Sequence, residues 1–167
     1  MLKTVLGTTR QDYTLIHLKD LEIKPCSACR GCHETFKCIV KDDMQNLYLQ
    51  MLEADYIVLE SPTYFDNVSG IMKNFMGHCL LFYLSNELKN KKVVLVTVGG
   101  YSKGEKLKGN QNIDQPTKIN SIEKCLHALE YFCAHLGLKV IGSAYAIRNN
   151  PQEKEKELIR LGEKLIS

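Results

Sequence analysis

Four of the seven cysteines in this 167-residue chain, Cys26, Cys29, Cys32 and Cys38, fall within thirteen residues in the spacing C-x2-C-x2-C-x5-C. Thiolates packed this densely are soft ligands, which select zinc, copper(I) or an iron–sulfur cluster over hard cations. Ser27, Ala28 and Gly31 lie between them and let the backbone wrap closely around a compact object. Structural zinc sites usually take two C-x2-C knuckles separated by a dozen or more residues; here the first three thiols are too evenly crowded for that. A bacterial ferredoxin run, C-x2-C-x2-C-x3-C-P, sends its fourth cysteine to a second cluster. This chain has no second set, and Cys38 sits two residues further out, which lets it return to the same cluster. The spacing favours a four-iron cluster, with zinc and thiol redox chemistry as the alternatives. His33 reads as a solvated loop residue, with a place among the ligands as the alternative, and Cys79, Cys125 and Cys133, at helical core spacing, read as buried packing residues.

A second constellation is Ser61-Pro62-Thr63-Tyr64-Phe65-Asp66-Asn67, which ends a short apolar run, Tyr56 to Glu60. A rigid β–α turn would explain it. A cofactor rim would also explain it, with the amides and hydroxyls of Ser61 and Thr63 beside two flat rings. Thr97 to Tyr101 repeats the logic at the end of the next apolar run, where Gly99 and Gly100 let a planar ligand approach the backbone.

The elements that must position these residues follow from periodicity. Leu2, Val5 and Leu6 have helical spacing, and Tyr13 to Leu18 is rich in strand formers. Lys41-Asp42-Asp43 supplies an N-cap for a helix carrying Met44, Leu47, Tyr48, Met51 and Leu52. Tyr56–Glu60 and Val93–Val98 read as buried parallel strands, and Lys139–Tyr145 as another. Helices are expected from Ser69 to Tyr83, from Ser121 to Leu136, and from Pro151 through Leu165. The apolar surface of the first of these is wider than one stripe, so both faces should pack, one of them on a partner subunit. This alternation predicts an α/β fold with a parallel sheet and helices on both faces, its ligands outside the carboxyl ends of the strands. The loops at 25–43, 61–67 and 99–118 should then share one rim.

Composition excludes other classes. Apolar content of 44% and charged content of 25% suit one soluble domain over residues 1–167. A net charge of +3 is too small to argue for nucleic acid. Ile71 to Leu84 is too short and too polar to span a membrane, since it contains Lys73, Asn74 and His78. With no apolar leader in Met1 to Arg10, the expected location is the cytoplasm, where clustered cysteines mean metal or redox chemistry. The lysines of the 101–118 loop would steer an acidic partner or a nicotinamide phosphate, or simply solvate the loop.

The run Ser-Pro-Thr-Tyr-Phe-Asp-Asn-Val-Ser-Gly-Ile-Met-Lys-Asn-Phe from Ser61 resembles the flavin-binding signature of flavodoxin-like NADPH-dependent FMN reductases. With the cysteine loop and Lys41-Asp-Asp-Met44 before it, residues 13 to 145 resemble the iron-sulfur flavoprotein family. The resemblance implies a flavodoxin-like doubly wound sheet holding FMN. It implies a [4Fe–4S] cluster on Cys26, Cys29, Cys32 and Cys38, and a homodimer or higher oligomer. Electrons would pass between a ferredoxin-like donor and a small-molecule acceptor. By carry-over, Ser61, Pro62, Thr63, Tyr64, Phe65 and Asn67 would line the flavin, with Thr97, Gly99 and Gly100 opposite. An NAD(P)H-dependent FMN or quinone reductase and a zinc-bound or cofactorless interaction protein are the rival readings. The chain departs from the family twice. The usual first strand and phosphate loop are missing, so that Met1–Leu6 reads as a remnant of the first helix, or else Thr4–Arg10 as a shortened strand and loop. Gly77-His78 also stands where the family commonly has Asp-Arg, so a salt-bridging or interface role is expected to be lost there.

Overall fold

The computed structural model describes residues 1–99, 121–147 and 154–166. Three parallel strands, β1 (Tyr56–Pro62), β2 (Lys92–Gly99) and β3 (Lys139–Ile147), form one sheet in the order β1-β2-β3. Tyr56 pairs with Lys92 and Pro62 with Val98, and Lys92 pairs with Lys139, with a register shift between Val93 and Val94. Parallel strands need long crossovers, and helices supply them. The helices are α1 (Leu2–Thr9), α2 (Cys32–Thr35), α3 (Met44–Glu53), α4 (Gly70–His78), α5 (Leu80–Ser85), α6 (Ser121–His135) and α7 (Glu155–Ile166).

The alternation of side chains along β2 sorts the core into two layers. Val93 and Leu95 face a cluster that includes Met44, Tyr48, Phe75, Phe82 and Leu129, drawn from α3, α4, α5 and α6. Val94 and Val96 face Val5, Leu158, Leu161 and Leu165 of α1 and α7. Helices thus cover both faces of the sheet, as the sequence predicts. On the second face α1 crosses α7 so closely that a Cβ on Gly162 would fall 2.4 Å from the Val5 carbonyl oxygen. The first amide of α1, Leu2 N–H, donates to the Glu60 carboxylate on β1 at 3.1 Å. A negative side chain at that end satisfies an orphan donor and suits the helix dipole. Of the two readings of the N-terminus, the helix is the one observed.

Tyr13–Leu18 differs from its expectation. It contains no strand, and only Leu18–Asp20 makes a 3-10 turn. A strand needs a neighbour to exchange hydrogen bonds with, and this segment has none within reach. Between it and β1 lies a broad groove of about 1630 Å³, walled by Tyr13, Ile16, Leu18, Val58, Leu59 and Phe75 among others. The groove leaves β1 an edge strand among the described residues, and the sheet has three strands where the sequence pattern suggests four. The long helix expected from Ser69 is also interrupted. At Cys79 (φ −75°, ψ 6°) the chain leaves helical geometry, so α4 ends at His78 and α5 begins at Leu80. The 99–118 loop beyond Gly99 and the helix start at Pro151 lie outside the described residues.

Candidate functional site

The cysteine loop is held at its mouth by hydrogen bonds from two helices. The two aspartates before α3 reach back to it. Asp43 accepts from Glu22 N–H at 2.7 Å, and Asp42 accepts from Lys24 N–H at 2.9 Å and from Met44 N–H at 3.1 Å. From α4, Asn74 Nδ2 donates to the Ile23 carbonyl at 2.8 Å. On the other flank, Gln45 Nε2 donates to the Cys38 and Val40 carbonyls at 3.2 and 2.6 Å. Residues 22–24 are therefore fixed by the start of α3 and by α4, and residues 38–40 by α3.

Within the loop the backbone reverses repeatedly. Ala28 (φ 53°) and Arg30 (φ 61°) are left-handed, and Gly31 following them is right-handed. Such alternation turns successive N–H groups toward one concavity, a pattern common around phosphate and iron–sulfur sites. Cys32 opens the short helix α2, which Thr35 steadies by donating to the Gly31 carbonyl at 3.1 Å. All four loop cysteines, together with Gly77 and His78, line one cavity of about 170 Å³. Cys26 and Cys29 are exposed, Cys32 and Cys38 half-buried, and all four are free thiols. Burial pushes the Cys32 thiol up, and the neighbouring Cys38, Cys26 and Cys29 add to the shift. Among the described residues, no three His, Cys, Asp or Glu side chains converge at single-ion distances. Four free thiols around one cavity fit a multi-iron cluster in which each thiolate takes its own corner.

Sequence reasoning missed two residues here: His78, which lines this cavity, and Tyr48, which stands against His78. His78 is 3% exposed and contacts the Lys24 carbonyl through Nε2. Its Nδ1 lies 3.4 Å from Tyr48 Oη and 3.8 Å from Cys38 Sγ. Tyr48 Oη donates to the His78 carbonyl at 3.1 Å, and burial holds its phenol far above the usual tyrosine range. Tyr48 was legible only as a core position of α3. A signal existed for His78: with Lys73 and Asn74 it is one of three polar side chains in a largely apolar helix.

The second site lies at the carboxyl ends of β1 and β2. Ser61 pairs in register with Thr97, and Thr63 N–H donates to the Val98 carbonyl at 2.7 Å. Buried Ser61 accepts from Ser69 N–H at 3.0 Å, and Ser69 caps α4 by accepting from Met72 N–H at 3.2 Å. Tyr64 and Asn67 exchange backbone bonds of 2.9 and 3.0 Å around Phe65 (φ 48°) and Asp66 (φ 65°). That is a type I′ turn. It leaves Phe65 fully exposed and Tyr64 60% exposed. Among the described residues, Thr63 Oγ1 and Thr97 Oγ1 are buried without a hydrogen-bond partner. Two orphaned hydroxyls and two open rings on adjoining strand ends fit a polar, planar cofactor such as a flavin. Gly99 has a close neighbour within the chain, because a Cβ there would fall 2.2 Å from Ile122 of α6. Gly100 lies outside the described residues.

The two sites are joined by α4. Its N-cap Ser69 is tied to Ser61, and its last residue, His78, faces the cysteines, about 13 Å further along the axis at 1.5 Å per residue. The single shared rim expected from strand order gives way to this arrangement. As expected, Cys79, Cys125 and Cys133 are buried in the core, while His127 and His135 are exposed on α6.

Lys124 of α6 forms an ion pair with Asp66 in the type I′ turn, and its hydrogen bond holds the carboxyl below its ordinary value, with help from Ser121. A depressed carboxylate stabilises the fold above its unfolded value, about pH 4, and that contribution disappears as pH falls through the folded one. The two side chains are 49% and 31% exposed, so solvent screens the pair. Asp66→Asn should cost less than about 1 kcal/mol in urea unfolding at pH 7, and that cost should shrink as pH falls below about 4. A cost that stays constant as the pH is lowered would mean that the carboxylate is not the source.

A family model described as NADPH-dependent FMN reductase matches residues 1–110. The chain belongs to the NADPH-dependent FMN reductase family. Within that family it is similar to an iron-sulfur flavoprotein of Archaeoglobus fulgidus, 41% identical over 91 residues, which cover 54% of this chain and 45% of the relative. An iron-sulfur flavoprotein of Methanocaldococcus jannaschii is 38% identical over 89 residues, covering 53% of this chain and 46% of the relative. The matched stretch spans about half the length of these relatives. Among solved structures, Megasphaera elsdenii flavodoxin superposes with a TM-score of 0.58 at 17% identity, over 99% of this chain and 88% of that one. The fold of this reductase-family chain is flavodoxin-like.

Proposed function

We propose that this chain is a redox-active iron–sulfur flavoprotein. In this reading Cys26, Cys29, Cys32 and Cys38 hold a [4Fe–4S] cluster, and FMN lies on the rim made by Ser61–Asn67 with Thr97, Gly99 and Gly100. The carrying observation is the cavity lined by all four loop cysteines, whose loop is fixed at both flanks by α3 and α4. The cluster exchanges single electrons and FMN exchanges one or two, so the pair would convert between the two currencies. The chain's own residues supply the setting. Asp42, Asp43, Asn74 and Gln45 fix the loop, and half-buried Thr63 and buried Thr97 would offer hydroxyls to the flavin. The exposed rings of Tyr64 and Phe65 would pack on it.

A ferredoxin-like donor or a small-molecule acceptor would complete the circuit. The exposed face of Ile71, Leu80 and Tyr83 on α4 and α5 would form a homodimer or higher oligomer. Among the described residues, no helix is long and apolar enough to cross a membrane. That agrees with the proposed cytoplasmic setting, the compartment where such thiols stay reduced. Protein expressed and purified without oxygen should carry about four irons and four acid-labile sulfides per chain, plus one FMN, if the cluster reading holds. Stoichiometric zinc without sulfide would overturn it.

The family match supports a second reading, an NAD(P)H-dependent FMN or quinone reductase in which the cysteines are incidental. Bleaching of bound flavin by NADPH alone, undiminished when the four cysteines are replaced, would favour that reading.

A further inference from the structure

We propose that His78 is a positioning residue for the cluster, a clasp that closes the cysteine loop before any iron enters. This inference rests on the cluster reading. One buried imidazole touches the chain on both sides of the cysteine run: the Lys24 carbonyl two residues before Cys26, and the sulfur of Cys38 at the far end. A carbonyl only accepts, so Nε2 carries the proton in that contact, and the Nδ1 lone pair faces Cys38 and Tyr48. Tyr48 has a single hydroxyl proton. Its shorter bond, 3.1 Å against 3.4 Å, sends that proton to the His78 carbonyl. Nδ1 is left to receive the thiol of Cys38 in the cluster-free chain. The imidazole therefore aims the fourth cysteine at the cavity and fixes the loop's leading flank at the same time.

The backing of the clasp is rigid. Tyr48 packs edge-on against the fully buried Phe82, with centroids 5.6 Å apart, and His78 ends α4 where the chain breaks at Cys79. Next to it, Gly77 would place a Cβ 3.9 Å from the Cys26 Cβ, so the same corner of α4 abuts the first cysteine as well. Pre-aimed ligands lose less freedom when the cluster forms, and outer partners that orient ligands typically account for ten- to hundred-fold in metal retention.

Three chains decide the matter: wild type, His78→Ala, and His78→Gln, whose amide nitrogen reaches the Lys24 carbonyl as Nε2 does. In His78→Ala, reconstituted cluster should lose iron to a chelator roughly ten- to hundred-fold faster, with an altered paramagnetic resonance spectrum on reduction. His78→Gln should recover part of the difference. Hydrogen exchange of the cluster-free chains supplies a readout that needs no iron. Amides of residues 25–40 should exchange about tenfold faster in His78→Ala, while those of β2 stay unchanged. Wild-type loop exchange in His78→Ala, or wild-type iron retention with an unchanged spectrum, would overturn the proposal. So would an equal loosening of β2, which would make His78 an ordinary core residue. If wild type takes up no cluster, the functional reading fails, and the exchange comparison still judges the clasp.

Discussion

Cys38→Ala should leave a folded chain that has lost most of its iron and acid-labile sulfide. A four-iron cluster needs one thiolate per corner, and the loop offers four. Of these, Cys38 is the one that must return from outside the tight C-x2-C-x2-C run, and no other thiol of the loop can take its corner. The remaining cysteines are poor substitutes. Cys79, Cys125 and Cys133 are buried in the core, and burial pushes their thiols up, Cys133 to about 12. A ligand must be a thiolate, which an apolar interior disfavours. Cys133→Ala should therefore retain full iron and sulfide content, with only the stability loss of a trimmed core. Iron and sulfide assays on anaerobically reconstituted protein measure both. Cys38→Ala with wild-type iron and an unchanged spectrum would place the fourth ligand elsewhere.

Phe82→Ala should be among the most destabilising single substitutions in the chain, at about 3–5 kcal/mol. The ring is fully buried, stands edge-on to Tyr48, and belongs to the larger of the two core layers. Its removal leaves a cavity between α3 and α5 that the rigid surroundings can only partly fill. Against a total stability of about 5–15 kcal/mol for a domain, that is a large fraction. Urea unfolding should show a lower midpoint with an unchanged slope. Phe65→Ala is the control, because that ring is wholly exposed, and it should change stability by no more than about 0.5 kcal/mol. A Phe82→Ala cost under 1 kcal/mol would mean that the layer closes over the gap. Tyr48 leans on Phe82 and also holds His78, so the variant should weaken iron retention too.

Much of this molecule is legible in its sequence because the relevant information is local. The spacing of Cys26, Cys29, Cys32 and Cys38 singles out a candidate metal or redox loop without reference to any fold. Hydrophobic periodicity places α3 and α6, and the apolar runs at 56–60 and 93–98 place two neighbouring parallel strands. Turn chemistry marks Ser61–Asn67 as the element between β1 and α4. Each of these signals depends on residues within one or two turns of each other.

What tertiary structure alone decided depends on partners far apart in sequence. Strand formers in Tyr13–Leu18 do not make a strand, because a ladder needs a neighbouring edge and a groove lies where that edge would be. His78 reads as an interruption in an apolar helix until Lys24 and Cys38, 54 and 40 residues away, are brought to its two nitrogens. The cysteine loop and the 61–67 turn both meet α4, yet they lie apart, because one packs at the C-terminal end of that helix and the other at its N-cap. Spacing singled out which residues are candidate ligands. The packing of α3 and α4 decided what holds them in place, since hydrogen bonds across 40 residues exist only once the chain has folded.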